Sequence, residues 1–179
     1  MSAIYHLMRR EYMLTSKYSA KKRMMFIQKE DYNFLAYNLL IFLNTLGCTD
    51  EGKKFRDFRK VAYLIDFINT RRQFEEFTQH ELANIYTKAH LKKQLISHLL
   101  VMLRNKGYIG LSINTTYNSF DIWLIKENIP ADFFDKKLFD DEICNIKTLK
   151  SLAHSLKTVP IKKLVDTLFT SKNVLTWEI

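Results

Sequence analysis

Residues Phe77 to Ile125 read FTQHELANIYTKAHLKKQLISHLLVMLRNKGYIGLSINTTYNSFDIWLI, and the fold turns on how that run is parsed. Thr78, with Glu81 three residues on, has the spacing of a capping box, so a helix opens there. Leu82, Ile85 and Tyr86 share one side of it. Lys88 to His90 reads as a break. Beyond it Leu91, Leu95, Leu99, Met102 and Leu103, at three- and four-residue steps, define a second and longer helix. Arg104 and Lys106 ahead of Gly107 mark its end: cations in the last turn, then a residue free to take positive φ. Tyr108, Ile109, Leu111 and Ile113 predict a strand, and Asn114 to Ser119 a polar turn. Phe120, Ile122, Trp123, Leu124 and Ile125 supply the return strand.

Helix, helix and hairpin, in that order, are the ground plan of a winged helix. The segment upstream supplies a first helix, Phe55 to Asn69. Phe58, Ala62, Leu64, Ile65, Phe67 and Ile68 are its apolar side, with Arg56, Arg59 and Lys60 opposite. Thr70 to Glu76, carrying Arg71 and Arg72, links it to Phe77, so the winged-helix unit spans 55–127. Residues 1–54 combine a basic N-terminal arm with an apolar helix, Asp31 to Leu46, stopped by Gly47. Phe34, Leu35, Asn38, Leu39, Phe42, Leu43 and Leu46 line one stripe of that helix. Tyr37, Leu40 and Ile41 make it apolar almost all round, which implies burial on two sides. It is either a core helix or, through Tyr37, Leu40 and Ile41, part of a partner interface. In 128–179, Pro130 ends the wing, Ile143 to Leu156 is helical, and Pro160 opens a last helix. Val174 to Ile179 is a short strand or a docked tail. The fold class is mainly α with a small β-hairpin, a winged helix-turn-helix flanked by additional helices.

Composition narrows the class. A hydrophobic fraction of 47% with 26% charged residues belongs to a folded protein. Four glycines and two prolines favour helices over a sandwich or barrel. Cys48 and Cys144 are too few for a disulfide framework or a four-ligand zinc site, and fit a reducing cytoplasm. No apolar run approaches the roughly 18 residues of a membrane span. The N-terminus lacks the pattern of a signal peptide. Net charge is +9, and more than half of the excess lies in residues 1–30, with seven basic and two acidic side chains. Such a surface points to nucleic acid or an acidic partner.

No catalytic constellation emerges. Of His6, His80, His90, His98 and His154, His90 and His98 share a helix face only loosely with no carboxylate between them, and after His80–Glu81 Asn84 stands where a zinc-protease motif needs histidine. There is no phosphate-binding glycine loop. Asp140, Asp141 and Glu142 read as a helix start at the positive end of the dipole. No metal and no cofactor are expected, and the chain reads as non-enzymatic.

Two binding readings remain. DNA contact would use Lys88, His90, Lys92 and Lys93 on the long helix, Arg71 and Arg72 in the link, and Lys21, Lys22 and Arg23 in the arm. The wing tip, Asn114 to Ser119, carries no cation, so such contact is weak and without strong sequence specificity. Protein contact is favoured by thirteen Phe, nine Tyr and two Trp, because aromatic residues are enriched at interfaces.

The apolar helix Tyr32 to Gly47, the run Val61–Ala62–Tyr63–Leu64–Ile65–Asp66–Phe67 and the run Leu100 to Ile109 (LVMLRNKGYI) carry a resemblance. Together they resemble the middle component of three-component ABC ATPase systems, the small subunit of Lamassu-type bacterial antiviral defence complexes. The resemblance covers roughly residues 30–127 and leaves the basic arm as a departure. It implies a cytoplasmic, non-catalytic accessory subunit that joins an SMC-like ATPase subunit to an effector subunit, often a nuclease, and touches DNA. A free-standing winged-helix transcriptional regulator is the alternative; it requires a homodimer, since two half-sites need two recognition helices.

Overall fold

A computed structural model describes residues 32–70, 72–134, 138–153 and 155–177. The described chain is mainly α with one antiparallel hairpin. Its helices are α1 (Tyr32–Leu46), α2 (Lys60–Ile68), α3 (Gln79–Asn105), α4 (Asp140–Leu152) and α5 (Ile161–Leu168). The strands are β1 (Ile109–Asn114) and β2 (Ser119–Leu124). Of the cations read as DNA contacts, Lys21, Lys22, Arg23 and Arg71 lie outside the described residues.

α1 is the central helix, packed against α2, α3, α4 and β2. Leu39, Phe42 and Leu43 are fully buried, and Asn38 satisfies its amide internally on the Phe34 carbonyl at 2.9 Å. Gly47 ends the helix at φ +67. Its N–H donates to Asn44 O and the Cys48 N–H to Leu43 O, both at 2.9 Å, which is the Schellman pattern. Leu40 and Ile41, read as partner-facing, are 4% and 3% exposed and belong to the core. An all-round apolar helix here means burial by its own chain on both sides. Tyr37 does reach the surface, with its ring 5.4 Å from that of Phe133.

The helix expected from Phe55 begins instead at Lys60. Phe55 exchanges backbone hydrogen bonds with Ile122 at 2.8 and 3.0 Å, and the Phe58 N–H donates to Phe120 O at 2.9 Å. Asp57, at φ +59, turns the chain between them. Residues 55–58 therefore lie along β2, and the ladder claims a segment that its apolar spacing assigns to a helix. Lys60, read as solvent-facing, is fully buried.

The expected break at Lys88 to His90 is absent, because α3 is one helix of 27 residues. The capping box forms as read: the Glu81 N–H donates to Thr78 Oγ1 at 3.3 Å, and the Thr78 N–H to Glu81 Oε2 at 2.9 Å. No glycine or proline interrupts residues 79–105. The inner seam runs through Leu82, Tyr86, Ala89, Lys93, Ile96, Leu100 and Leu103 at alternating four- and three-residue steps. A break at 88–90 would throw that seam out of phase. Gly107, at φ +74, closes the helix with the same pattern as Gly47.

β1 and β2 pair from Ile109↔Leu124 to Asn114↔Ser119. Gly110 faces Trp123, whose indole lies where a side chain on residue 110 would stand. Gly110→Ala must push the indole aside and is expected to cost about 1–3 kcal/mol by overpacking. Denaturant unfolding checks this, and in a Trp123→Ala background the same change should cost almost nothing. α4 packs on α1 and α2, and α5 on α2. The segment after α5 is a docked tail: Val174 is buried and the Trp177 N–H donates to the Tyr86 hydroxyl at 2.9 Å. One hydrophobic core joins all of these elements.

Candidate interaction surface

The cations read as DNA contacts on α3 are mostly engaged within the fold. Lys88 is exposed. Lys92 forms an ion pair with Asp66 of α2. Lys93 sits on the inner seam with its ammonium 4.6 Å from the centre of the Tyr63 ring. Burial pushes its pKa down to about 8, the Arg59 charge adds to that, and Asp57 opposes it. His90 is half-buried, with its ring 5.2 Å from Tyr86 and stacked at 5.3 Å on Trp177. Burial, then the Lys93 charge, holds its pKa below the ordinary histidine value. Arg72 grips both carboxylate oxygens of Glu81 and the Glu76 carbonyl, so it clamps the start of α3. That ion pair, with the Thr78 hydrogen bonds, brings Glu81 down to about 2.

Trp177→Ala uncovers His90, so the imidazole pKa should rise toward its ordinary value in an NMR titration. The lost ring contacts should cost about 1 kcal/mol. An unmoved His90 pKa would show that the tail does not cover the ring in solution.

α3 turns large apolar side chains outward among polar ones such as Asn84, Lys88, Gln94, His98 and Arg104. Leu91 is 69% exposed, Val101 57% and Met102 43%. On the hairpin, Ile113 and Phe120 are register partners on one face, 74% and 43% exposed. α3 and the hairpin thus hold five of the nine exposed large hydrophobic residues among those described. Leucine spacing alone points Leu91 inward. The seam instead uses Leu82, Tyr86, Ala89, Ile96 and Leu100, which places Leu91 on the opposite side.

A buried polar cluster at the base of the hairpin is not among the sites the sequence suggests. Asp57 accepts from Arg59 Nε at 2.8 Å and Nη2 at 2.9 Å, and from Ser119 Oγ at 2.8 Å. Asp121 accepts from the Asp57 N–H at 3.0 Å and Asn114 Nδ2 at 2.7 Å, and pairs with Lys54 at 3.2 Å. Both carboxylates are thereby tied to holding residues 54–59 against the hairpin. The alternation in SFDIWL puts Ser119 and Asp121 on the face opposite Ile122 and Leu124, which polarity alone reads as solvent-facing. Their burial depends on partners from residues 54–59 and has no local signal in the sequence. Cys48 is fully buried and its thiol is pushed up to about 11 by burial, so it is no nucleophile at neutral pH. Among the described residues no group of His, Cys, Asp and Glu could hold a metal ion, and no helix is long and apolar enough to cross a membrane.

No family model, characterised protein or solved structure matches this chain.

Proposed function

We propose that this chain is a non-catalytic accessory subunit that docks to a partner protein through the outer side of α3 and the hairpin. One observation carries the reading: Lys92, Lys93 and His90 are engaged internally, while Leu91, Val101 and Met102 face solvent. A surface built to track phosphates presents its cations outward, whereas exposed large apolar side chains favour protein contact. The order of α1, the Phe55 bridge, α2, α3 and the hairpin is compatible with a winged-helix plan. With the resemblance in Tyr32–Gly47, Val61–Phe67 and Leu100–Ile109, this supports a bridge between an SMC-like ATPase and an effector in a cytoplasmic antiviral complex. DNA contact is secondary in this reading and uses exposed cations such as Lys88 and Arg56.

Co-expression of the tagged chain with its genomic neighbours tests the proposal. Recovery of a long coiled-coil ATPase in moderate salt is the expected result. Recovery of the chain alone, as a homodimer that shifts one short duplex over others, would instead establish a free-standing regulator.

A further inference from the structure

We propose that the free edge of β1 receives an extended segment of a partner protein as an added antiparallel strand, apolar on the face of Ile113 and Phe120. This deepens the docking reading above and rests on it. Hydrogen-bond direction locates the edge. Phe120 O accepts from the Phe58 N–H, Ile122 exchanges with Phe55, and the Leu124 N–H donates to Cys48 O. The backbone groups of these three residues therefore turn away from β1, whereas the next N–H, that of Ile125, donates to Tyr108 O. In an antiparallel ladder the direction alternates residue by residue. Gly110, Ser112 and Asn114 thus turn their backbone groups to β2, and Ile109, Leu111 and Ile113 turn theirs away from it. Among the described residues no hydrogen bond meets that outer side. Ile109 is fully buried, so the open part runs from Leu111 to Ile113. Leu111 and Ile113 each offer an N–H and a C=O there, repeating about every 6.8 Å along the strand.

The chemistry of this edge selects the occupant. Exposed edges are ordinarily blunted by lysine, proline or a bulge. β1, IGLSIN, has neither charge nor proline, and its register with β2 is unbroken. No residue from Tyr108 to Phe120 is charged, and Lys54, which reaches Ser112 Oγ, is tied to Asp121, so a nucleic acid finds no free cation here. A helix satisfies its own backbone groups and has none to give Leu111 and Ile113. An extended strand repeats its N–H and C=O groups at the spacing the edge requires. Cross-strand neighbours share a face, so its bonded residues stand beside Leu111 and Ile113, with Phe120 next in the sheet. Apolar side chains belong at those positions. A second copy presents the same edge, but each copy carries a net charge of +9, which opposes their approach.

The test uses the full chain and two peptides of alternating valine and threonine. One is N-methylated at its valines, whose N–H groups face β1 in the proposed pairing, and the other at its threonines. Amide shifts in NMR register even weak binding. The threonine-methylated peptide should move the Leu111 and Ile113 amides most and slow their hydrogen exchange, and the valine-methylated one should bind at least about tenfold more weakly. Ile113→Lys should abolish binding with the melting temperature unchanged, because Ile113 is exposed. Ile113→Pro removes an outward N–H and no ladder bond, and should weaken binding by about tenfold. Equal binding of the two peptides, shifts centred away from Leu111 and Ile113, or indifference to both substitutions overturns the proposal. So does a short DNA duplex that moves these amides when neither peptide does, or a dimer of the chain that Ile113→Lys dissolves. If co-expression recovers an ATPase and neither substitution reduces that recovery, this inference fails and the subunit reading stands. If no partner is recovered but the threonine-methylated peptide binds as described, the subunit reading fails and this inference stands.

Discussion

Lys60→Met should lower the stability of the protein by about 3 kcal/mol in urea unfolding followed by circular dichroism. The ammonium of Lys60 is fully buried and donates to Leu156 O at 2.9 Å, Lys157 O at 3.1 Å and Val159 O at 3.0 Å. It also lies 4.4 Å from the centre of the Phe55 ring. Methionine fills the same space but leaves three carbonyls without that donor, at about 1–3 kcal/mol each. Relief from burying a charge offsets part of this. A loss below about 1 kcal/mol would show that water or backbone movement replaces the lysine.

The same residue sets a pH dependence. Burial lowers the Lys60 pKa from 10.5 to about 8, against the pull of Asp57 and Asp121. Between those values the unfolded chain holds more protons than the folded one, so the Lys60 contribution to stability rises with pH. Cys48 acts oppositely above pH 9, because its folded-state pKa is raised to about 11. The Lys60 charge helps hold the Cys48 pKa down, so its loss raises that pKa further and acts in the same direction. The stability gap between wild type and Lys60→Met should therefore widen from about pH 8 upward. A constant gap would exclude the lowered pKa.

Asp57→Ala should cost about 3 kcal/mol. It takes the carboxylate away from the half-buried Arg59 guanidinium, which keeps the Tyr117 carbonyl, and from the Ser119 hydroxyl, and it places alanine at φ +59. Asp57→Asn keeps a residue type that tolerates this conformation and should cost markedly less. Burial acts to raise the Asp57 pKa, but the hydrogen bonds from Arg59 and Ser119 outweigh it and hold the carboxyl below its ordinary range. A lowered carboxyl pKa stabilises the fold above the unfolded value of about 4 and loses that effect as pH falls through the folded value. Acid unfolding of Asp57→Asn should therefore be shallower than that of wild type. Identical acid profiles would remove Asp57 from the acid-sensitive set.

Local signals are legible in the sequence where backbone chemistry decides the outcome. Thr78 with Glu81 caps α3, Gly47 and Gly107 end their helices, and the hairpin forms where its apolar and polar runs place it. Long-range pairing is not legible. Phe55 has a helical neighbourhood in sequence, and only the arrival of Ile122 from 67 positions away makes it part of a ladder. By residue type Lys60 and Lys93 belong on the surface, yet each finds its partners across the fold. The interaction surface is hidden for a related reason: two heptad lines compete on α3, and leucine content alone does not say which faces inward.

The three Lys60 hydrogen bonds also bear on the order in which the molecule comes apart. They join residues 96 to 99 positions apart, whereas the contacts of the hairpin close within about 15. Closing a loop of that length costs chain entropy before any bond rewards it, so such contacts tend to form late. Stabilisation gained after the folding barrier slows the reverse step and leaves the forward one almost unchanged. Lys60 is then a brake on unfolding: its loss should shorten the native lifetime while refolding proceeds at nearly the wild-type rate.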